Sequence, residues 1–424
     1  MTSEKLYKLA YQSLLDLSTS EGINASGKDE IYGCIFGRDS AITILKILRA
    51  HSKKATPALL EISRKALLTL TELQGKEFNL ESGEQPGKFI HEFRRSKYEH
   101  LISAEKPWFL YPDKTLRNYD SIDSTPLTLI ALYRYWETTQ DHKFLITILP
   151  AIEAGLNWII TFGDLDKDGL IEYIFPHNRR FGGLLVQSWT DSHQSIIQPD
   201  GSLPQYPIAP VEAQALAWLA LKLWSDFYQD HSPAFAKKLD VFAKQMKEKF
   251  NQEFIIKSNG LFFASQALDG KKNKIKTITA NPLLCLWAAY QKNNQTECIL
   301  DAKYIPDFVT RAFQDDLFLK DSGIRTMSTQ SPTYNPAQDS YHNGSFWPVV
   351  NGLIAEGLEN FKFYKEANKL KQASLLPLQH FKSPIELYNR DENGYLEYLS
   401  PSGQTGCRIQ AWSAAAFLDM TADN

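Results

Sequence analysis

Ser124-Thr125-Pro126-Leu127-Thr128-Leu129-Ile130-Ala131-Leu132 opens a helix that runs to about Thr139, turns through Gln140-Asp141, and returns as a second helix from about His142 to Phe162. Pro126 stands early in the first helix, where its missing N–H is not needed. Two long helices joined by so short a turn make a helical hairpin.

The same unit recurs on both sides. Leu6, Leu9, Ala10, Leu14, Leu15 and Leu17 fall at helical spacing. A second helix follows Ile35-Phe36-Gly37-Arg38-Asp39-Ser40, and a third spans about 57–73. Later helices are expected over about 209–229, 232–253, 280–293, 297–314, 345–360, 363–380 and 409–420. With the opening hairpin that makes twelve helices in six hairpins. Short turns such as Gln140-Asp141 and Asp230-His231 alternate with long loops. The pattern predicts an all-α (α/α)6 toroid, with residues 1–424 as a single catalytic domain. An open solenoid would need a repeat of fixed period, and none is found. A few short strands are expected in loops, for example around Leu261-Phe262-Phe263. The stretch 75–118 is long and poor in helical pattern, which marks it as functional.

Net charge over the 424 residues is only −3, so nothing points to nucleic acid or to a disordered acidic tail. Cys34, Cys285, Cys298 and Cys407 have no paired short spacing. They form no zinc or disulfide framework, and a reducing, cytoplasmic setting is expected. The N-terminus leads into an amphipathic pattern and not a signal peptide, and no run is read as long enough to span a membrane.

Polar clusters stand just before the second, fourth, sixth, tenth and twelfth helices. They contain, in turn, Arg38 and Asp39; Tyr119, Asp120 and Asp123; Asp191 and Glu212, with Gln214 just inside the helix; His342 and Asn343; and Glu386 and Glu397. In a toroid these are the inner helices, so the clusters converge on one pocket. Any one cluster reads plainly as an N-cap. Five together, with Trp, Tyr, His and Arg beside them, call for chemistry. Trp189 stands two residues before Asp191. An apolar ring beside a carboxyl group packs a sugar and keeps the acid protonated near neutral pH. Glycoside hydrolysis needs a second, ionised carboxyl group across the sugar, and Glu386 and Glu397 both qualify. An inverting pair stands about 6.5–9.5 Å apart and a retaining pair roughly 5–5.5 Å. Trp347 and Trp412 serve either sugar stacking or the core.

Asp164, Asp166, Asp168 and Gly169 resemble the start of a calcium loop. The position for its last ligand is Phe175, so a solvated turn is expected and no metal. His91, His193 and His342 fall in no zinc pattern. No phosphate-binding or dinucleotide-binding glycine loop is present.

The motif set resembles the C-terminal, amylo-α-1,6-glucosidase domain of glycogen debranching enzymes, itself similar to glucoamylase-type toroids. It comprises Phe36-Gly37-Arg38-Asp39-Ser40, Tyr119-Asp120-Ser121-Ile122-Asp123-Ser124, Asp166-Lys167-Asp168-Gly169, Trp189-Thr190-Asp191-Ser192, Tyr341-His342-Asn343-Gly344-Ser345-Phe346-Trp347-Pro348 and Gln410-Ala411-Trp412-Ser413. It runs from about residue 32 to 418. The resemblance implies an inverting hydrolase without a cofactor. It makes Asp191 the general acid and a glutamate before Gln410-Ala411-Trp412-Ser413 the general base. The family's Pro-Glu-Leu-Tyr-like segment falls on Pro384-Ile385-Glu386-Leu387-Tyr388 with one inserted residue, favouring Glu386 and leaving Glu397 open. Arg38 and Asp39 are expected to grip the terminal sugar. The first motif lies near the chain's start, so the transferase half of debranching enzymes is not expected. An exo-acting α-glucosidase on a short oligosaccharide or small glucoside fits, with carbohydrate as the only partner. Trehalase-like and glycosylglycerate-hydrolase-like enzymes, a phosphorylase and a non-catalytic sugar-binding toroid are the alternatives.

Overall fold

The computed structural model describes residues 2–422, so residues 1, 423 and 424 of the expected domain lie outside it. The α-helices are α1 (Ser3–Asp16), α2 (Gly37–Lys53), α3 (Pro57–Glu72), α4 (Glu99–Ile102), α5 (Ser124–Thr139), α6 (His142–Trp158), α7 (Val211–Gln229), α8 (Pro233–Glu253), α9 (Leu284–Trp287), α10 (Ile305–Ala312), α11 (Pro348–Asn360), α12 (Tyr364–Phe381) and α13 (Ala411–Thr421).

Six of them close a ring. α2 packs on α5, α5 on α7, α7 on α9, α9 on α11, α11 on α13, and α13 back on α2. Outside the ring α3 lies on α2, α6 on α5, α8 on α7, α12 on α11 and α1 on α13. This is the expected (α/α)6 toroid, and the pair α1–α13 completes it by bringing the two ends of the chain together. Composition decides which helix lies inside. α7 buries 16 of its 19 residues, including Trp218 and Trp224. Its partner α8 buries only Ala236, Leu239, Ala243, Met246 and Phe250, a single stripe.

The fourth pair around the ring departs from the sequence reading. The helix expected over 280–293 is a 3₁₀ turn, Asn281–Leu283, followed by the four-residue α9. Next comes a hairpin of strands Tyr290–Lys292 and Gln295–Glu297. Asn293 and Asn294, at φ 51° and 62°, form its turn. Consecutive asparagines tolerate the left-handed region that such a hairpin requires and that a helix excludes. The helix expected from 297 begins only at Ile305, where Pro306 sets the first turn. Helix α6 also ends early and continues as a π-helical turn, Ile159–Gly163.

One run does meet the length and apolarity of a membrane span, against the sequence expectation. His142–Gly163 is 22 residues long with mean hydropathy 1.6. It is an outer-ring helix that packs Phe144, Ile148, Ile152 and Leu156 inward and leaves Ile146 exposed.

Charge locks the ring at the C-terminal ends of α2, α11 and α13. The fully buried Lys46 ammonium binds Asp419 and, at 2.8 Å, Glu356. Lys53 reaches Asp419 at 2.9 Å and Arg49 reaches it at 3.4 Å. Burial pushes the Asp419 carboxyl up, but Lys46, Arg49 and Lys53 together outweigh it and hold it down to about 2. Asp419→Asn should destabilise the protein by about 3–5 kcal/mol at neutral pH, because it leaves Lys46 under-neutralised. A depressed carboxylate contributes above its unfolded pKa of about 4 and loses that contribution as pH falls toward 2. Denaturant unfolding of both proteins across that range should therefore show the gap closing.

Candidate active site

A three-stranded sheet brings the starts of α2 and α5 together. Strands Ile35–Phe36, Glu92–Arg94 and Leu116–Asn118 pair antiparallel, with Ile35 opposite Phe93 and Phe93 opposite Arg117. The flanking strands lead directly into Gly37-Arg38 and Tyr119–Asp123. A Cβ at Gly37 would lie 2.0 Å from the Ile90 carbonyl oxygen, so only glycine permits this approach.

Arg38 then points into the ring, 2% exposed. Its Nε donates to Asp123 Oδ2 at 2.8 Å and its Nη2 to Asp123 Oδ1 at 3.1 Å. Nη2 also donates to the Ser188 carbonyl at 2.7 Å, and Nη1 to Asp191 Oδ2 at 2.9 Å. Burial weighs against the guanidinium charge, but Asp123 and Asp191 more than restore it. Burial raises the Asp191 carboxyl above the usual range while Arg38 pulls it down. Asp123 is sealed, whereas the Asp191 side chain keeps 25% of its exposure.

On another wall Glu386 is held at both oxygens. The Tyr341 hydroxyl donates to Oε1, and the Cys407 N–H donates to Oε2 at 2.8 Å. The Glu386 N–H in turn donates to the Cys407 carbonyl at 2.9 Å. Burial pushes this carboxyl up to about 7, Tyr341 and Cys407 oppose the shift, and the Asp191 charge adds to it. Asp39 is also pushed to about 7 by burial, against Arg38, and accepts a 3.0 Å bond from Gln410 Nε2.

These groups line one cavity of about 230 Å³ with Trp189, His342, Trp347 and Trp412. His342 stacks on Trp347 at 5.0 Å, and Trp189 meets both rings edge-on. The Nε1 atoms of Trp189 and Trp412, Gln410 Oε1 and His91 Nδ1 are buried without partners, and all four residues face the same space. Four polar atoms left open around one apolar-walled cavity suit a ligand rich in hydroxyl groups.

Nine of the sequence candidates thus meet at the pocket: Arg38, Asp39, Trp189, Asp191, His342, Trp347, Glu386, Gln410 and Trp412. Asp123 stands behind it, gripping Arg38. The other six are corrected. Tyr119 is buried and donates to the Leu73 carbonyl at 2.9 Å. Asp120 faces away and pairs with Arg179 at 2.7 Å. Gln214 clamps Ile171, accepting from its N–H at 2.8 Å and donating to its carbonyl at 2.7 Å. Asn343 donates to the Gln194 and Thr333 carbonyls. Glu212 is fully buried beside Asn281, whose Nδ2 donates at 3.2 Å. Glu397 lies on the outer strand of a hairpin, exposed and paired with Arg408 at 2.6 Å.

The structure also adds lining residues that sequence reasoning does not single out: Tyr341, Tyr32, Leu184, Gln404 and, from the long 75–118 loop, Glu92, Arg94 and Trp108. The length of that loop marks it as functional, and Tyr341 belongs to the Tyr341-His342-Asn343 motif, so both signals are present in the sequence. A larger cavity of about 280 Å³ lies at the opposite end of the ring, among Leu48, Arg49, Arg134 and Glu356, away from every candidate acid or base.

The tip of the acidic turn is solvated as expected, with Asp166 and Lys167 exposed, but its base is not. Asp164 and Glu172 are buried, and with Asp166 they form the one cluster among the described residues tight enough to hold a metal ion. The Lys272 ammonium sits in that cluster, bonded to Glu172, to Asp166 at 2.8 Å and to Asp168 at 2.9 Å. An ammonium already balances the charge a cation would balance.

Residues 88–419 match the family model for amylo-alpha-1,6-glucosidase. No curated protein matches the sequence. Among solved structures the chain is similar to a GH63 mannosylglycerate hydrolase from Thermus thermophilus in complex with glucose. The two share 15% identity over 98% of this chain and 99% of the other, with a TM-score of 0.65. It is also similar to a metal-independent alpha mannosidase from Streptococcus pneumoniae in complex with alpha-1,6-mannobiose. That likeness has 14% identity over 99% of this chain and 93% of the other, with a TM-score of 0.62.

Glu212 supplies a test of the burial argument. Its carboxyl is pushed to about 7 by burial, above its unfolded value, so its contribution to stability is full below about pH 4.5 and is lost as pH rises through 7. Glu212→Gln cannot ionise. It should unfold at higher denaturant than wild type at pH 8, by about 1–3 kcal/mol, and the difference should vanish near pH 4.

Proposed function

Because the chain belongs to the amylo-alpha-1,6-glucosidase family and is a glycoside hydrolase, we propose that it is an inverting, exo-acting hydrolase of α-linked glucosides. The observation that carries this reading is the pair Asp191 and Glu386, two carboxyl groups on one small cavity in different environments.

Asp191 is the general acid. Arg38 occupies its Oδ2, which leaves Oδ1 to carry the proton toward the glycosidic oxygen. A sugar entering the cavity displaces water from Asp191, and that desolvation favours the protonated form. Glu386 is the general base and orients the attacking water toward the anomeric carbon. The Tyr341 and Cys407 donors stabilise its ionised form. Asp39 and Gln410 bind hydroxyls of the terminal sugar, with Trp189, Trp347 and Trp412 against its apolar faces. Binding one terminal residue in a cavity of about 230 Å³ gives exo action. No step uses a cofactor.

Initial product from an α-glucoside should be the β-anomer, read by NMR before mutarotation, and initial release of α-glucose would refute inversion. Maltose, isomaltose, panose, trehalose, glucosylglycerate and α-mannosides assayed together identify the sugar and the linkage. Asp191→Asn should lose roughly 10²–10⁴-fold in rate on a disaccharide and much less on an activated aryl glycoside, which needs little protonation. Glu386→Gln should be inactive, and Glu397→Gln should keep wild-type rates.

The Tyr341 bond tunes the base. Glu386 must be ionised, so kcat/KM of the free enzyme should rise with pH through a limb near 7. Tyr341→Phe removes a donor that favours the carboxylate, so that limb should move to higher pH. A pH–rate profile in which only the plateau falls would sink the assignment of Glu386 as base.

A further inference from the structure

A second cavity, of about 180 Å³, lies behind the active site and contains a buried ammonium without a counter-charge. Lys88 is 5% exposed and lines this cavity. Its Nζ lies 5.6 Å from the centre of the Trp158 ring. Among the described residues it makes no hydrogen bond and no ion pair. Burial, and then the Arg179 charge, bring the ammonium down to about 8, partly offset by Asp120 and Asp123.

The carboxylates on the same walls are already engaged. Asp120 holds Arg179, Glu84 accepts from the Tyr111 hydroxyl, and Glu172 holds Lys272. The open side-chain capacity is of the opposite kind. Besides the three Lys88 N–H groups, the Tyr173 hydroxyl finds no acceptor, and Arg179 Nε is unpartnered. All can donate, and the two cationic ones suit an acceptor bearing negative charge. At the rim the side chains are apolar and exposed: Phe78 at 66%, Leu80 at 42% and Ile174 at 43%. A charged group buried with only the Trp158 ring face to meet it is costly, which leaves it open to an anion that arrives from outside.

We propose that this cavity is a second ligand site, separate from the sugar pocket. It takes a small organic anion, a carboxylate or phosphate ester, whose charge meets Lys88 and whose carbon part lies on the apolar rim. The two sites stand back to back. Asp120 and Gln187 line this one, while Asp123 and Trp189, on the same two segments, serve the other.

The probes are benzoate and phenyl phosphate, with benzyl alcohol as a neutral control of like shape. Thermal shift and calorimetry on the full chain should show saturable binding of at least one anion and none of the alcohol. Which anion binds separates the carboxylate from the phosphate ester. Glucose should not displace it. Lys88→Met should weaken anion binding about 10–100-fold while leaving the glycosidase rate at wild-type level. If that variant does not fold, Leu80→Glu, on the exposed rim, should weaken the anion by charge repulsion alone. The proposal is overturned if neither anion binds saturably, if the alcohol binds as well, if glucose competes, or if the substitution tested leaves affinity unchanged.

Discussion

The buried Arg38 guanidinium is the constraint on which the site depends. A charge removed from water must find compensating partners in fixed places. Arg38 finds them on two stretches of chain far apart in sequence: Asp123 at the start of α5, and the Ser188 carbonyl with Asp191 three residues later. The guanidinium fork is planar and rigid, so each partner's position follows from the others. Asp191 is therefore set by the same bonds that fix α2 against α5. A lysine could supply the charge and not this geometry.

The inner helices extend the argument. Residues at the starts of α2, α5, α11 and α13 gather at the pocket or grip Arg38. Asp at such a position ordinarily caps a helix, yet no N-cap side chain caps α2, α5, α7, α11 or α13. Of the outer helices α1 and α6 use theirs, Thr2 and Asp141, while α3, α8 and α12 have no side-chain cap. The polar groups of the inner ring are thus released from capping and turned to the pocket. Helix N-termini also carry partial positive charge, which offsets part of the desolvation that burial imposes on Asp39.

Much of this was legible in the sequence because it depends on local pattern. Helices apolar all round, short turns and polar clusters at helix starts identified the ring and nine of the pocket residues. The misplaced acids were decided by partners that periodicity does not show. Asp120 carries the same signal as Asp123, but Arg179, 59 residues on, holds it away from the pocket together with Asn118 and the Leu184 N–H. Glu397 has the same aromatic company as Glu386. The hairpin between Tyr388–Asp391 and Gly394–Glu397 sends it outward, and Arg408 takes its charge. The shortened α9 was misread for a local reason. An apolar run cannot be told from a helix by periodicity until the asparagine turn is weighed.

The two ends of the ring differ in what holds their polar groups. At the far end Lys46 is surrounded by Asp419, Glu356 and the Gly352 carbonyl. At the mouth the aromatic walls are held by ring-on-ring packing among Trp189, His342 and Trp347. The indole N–H groups of Trp189 and Trp412 are left without acceptors beside them. A wall fixed by apolar contacts keeps its polar atoms open without collapsing onto them. On the proposed function a sugar would satisfy those atoms on arrival, and the binding energy would then go into orienting its anomeric carbon between two carboxyl groups and not into rearranging the site.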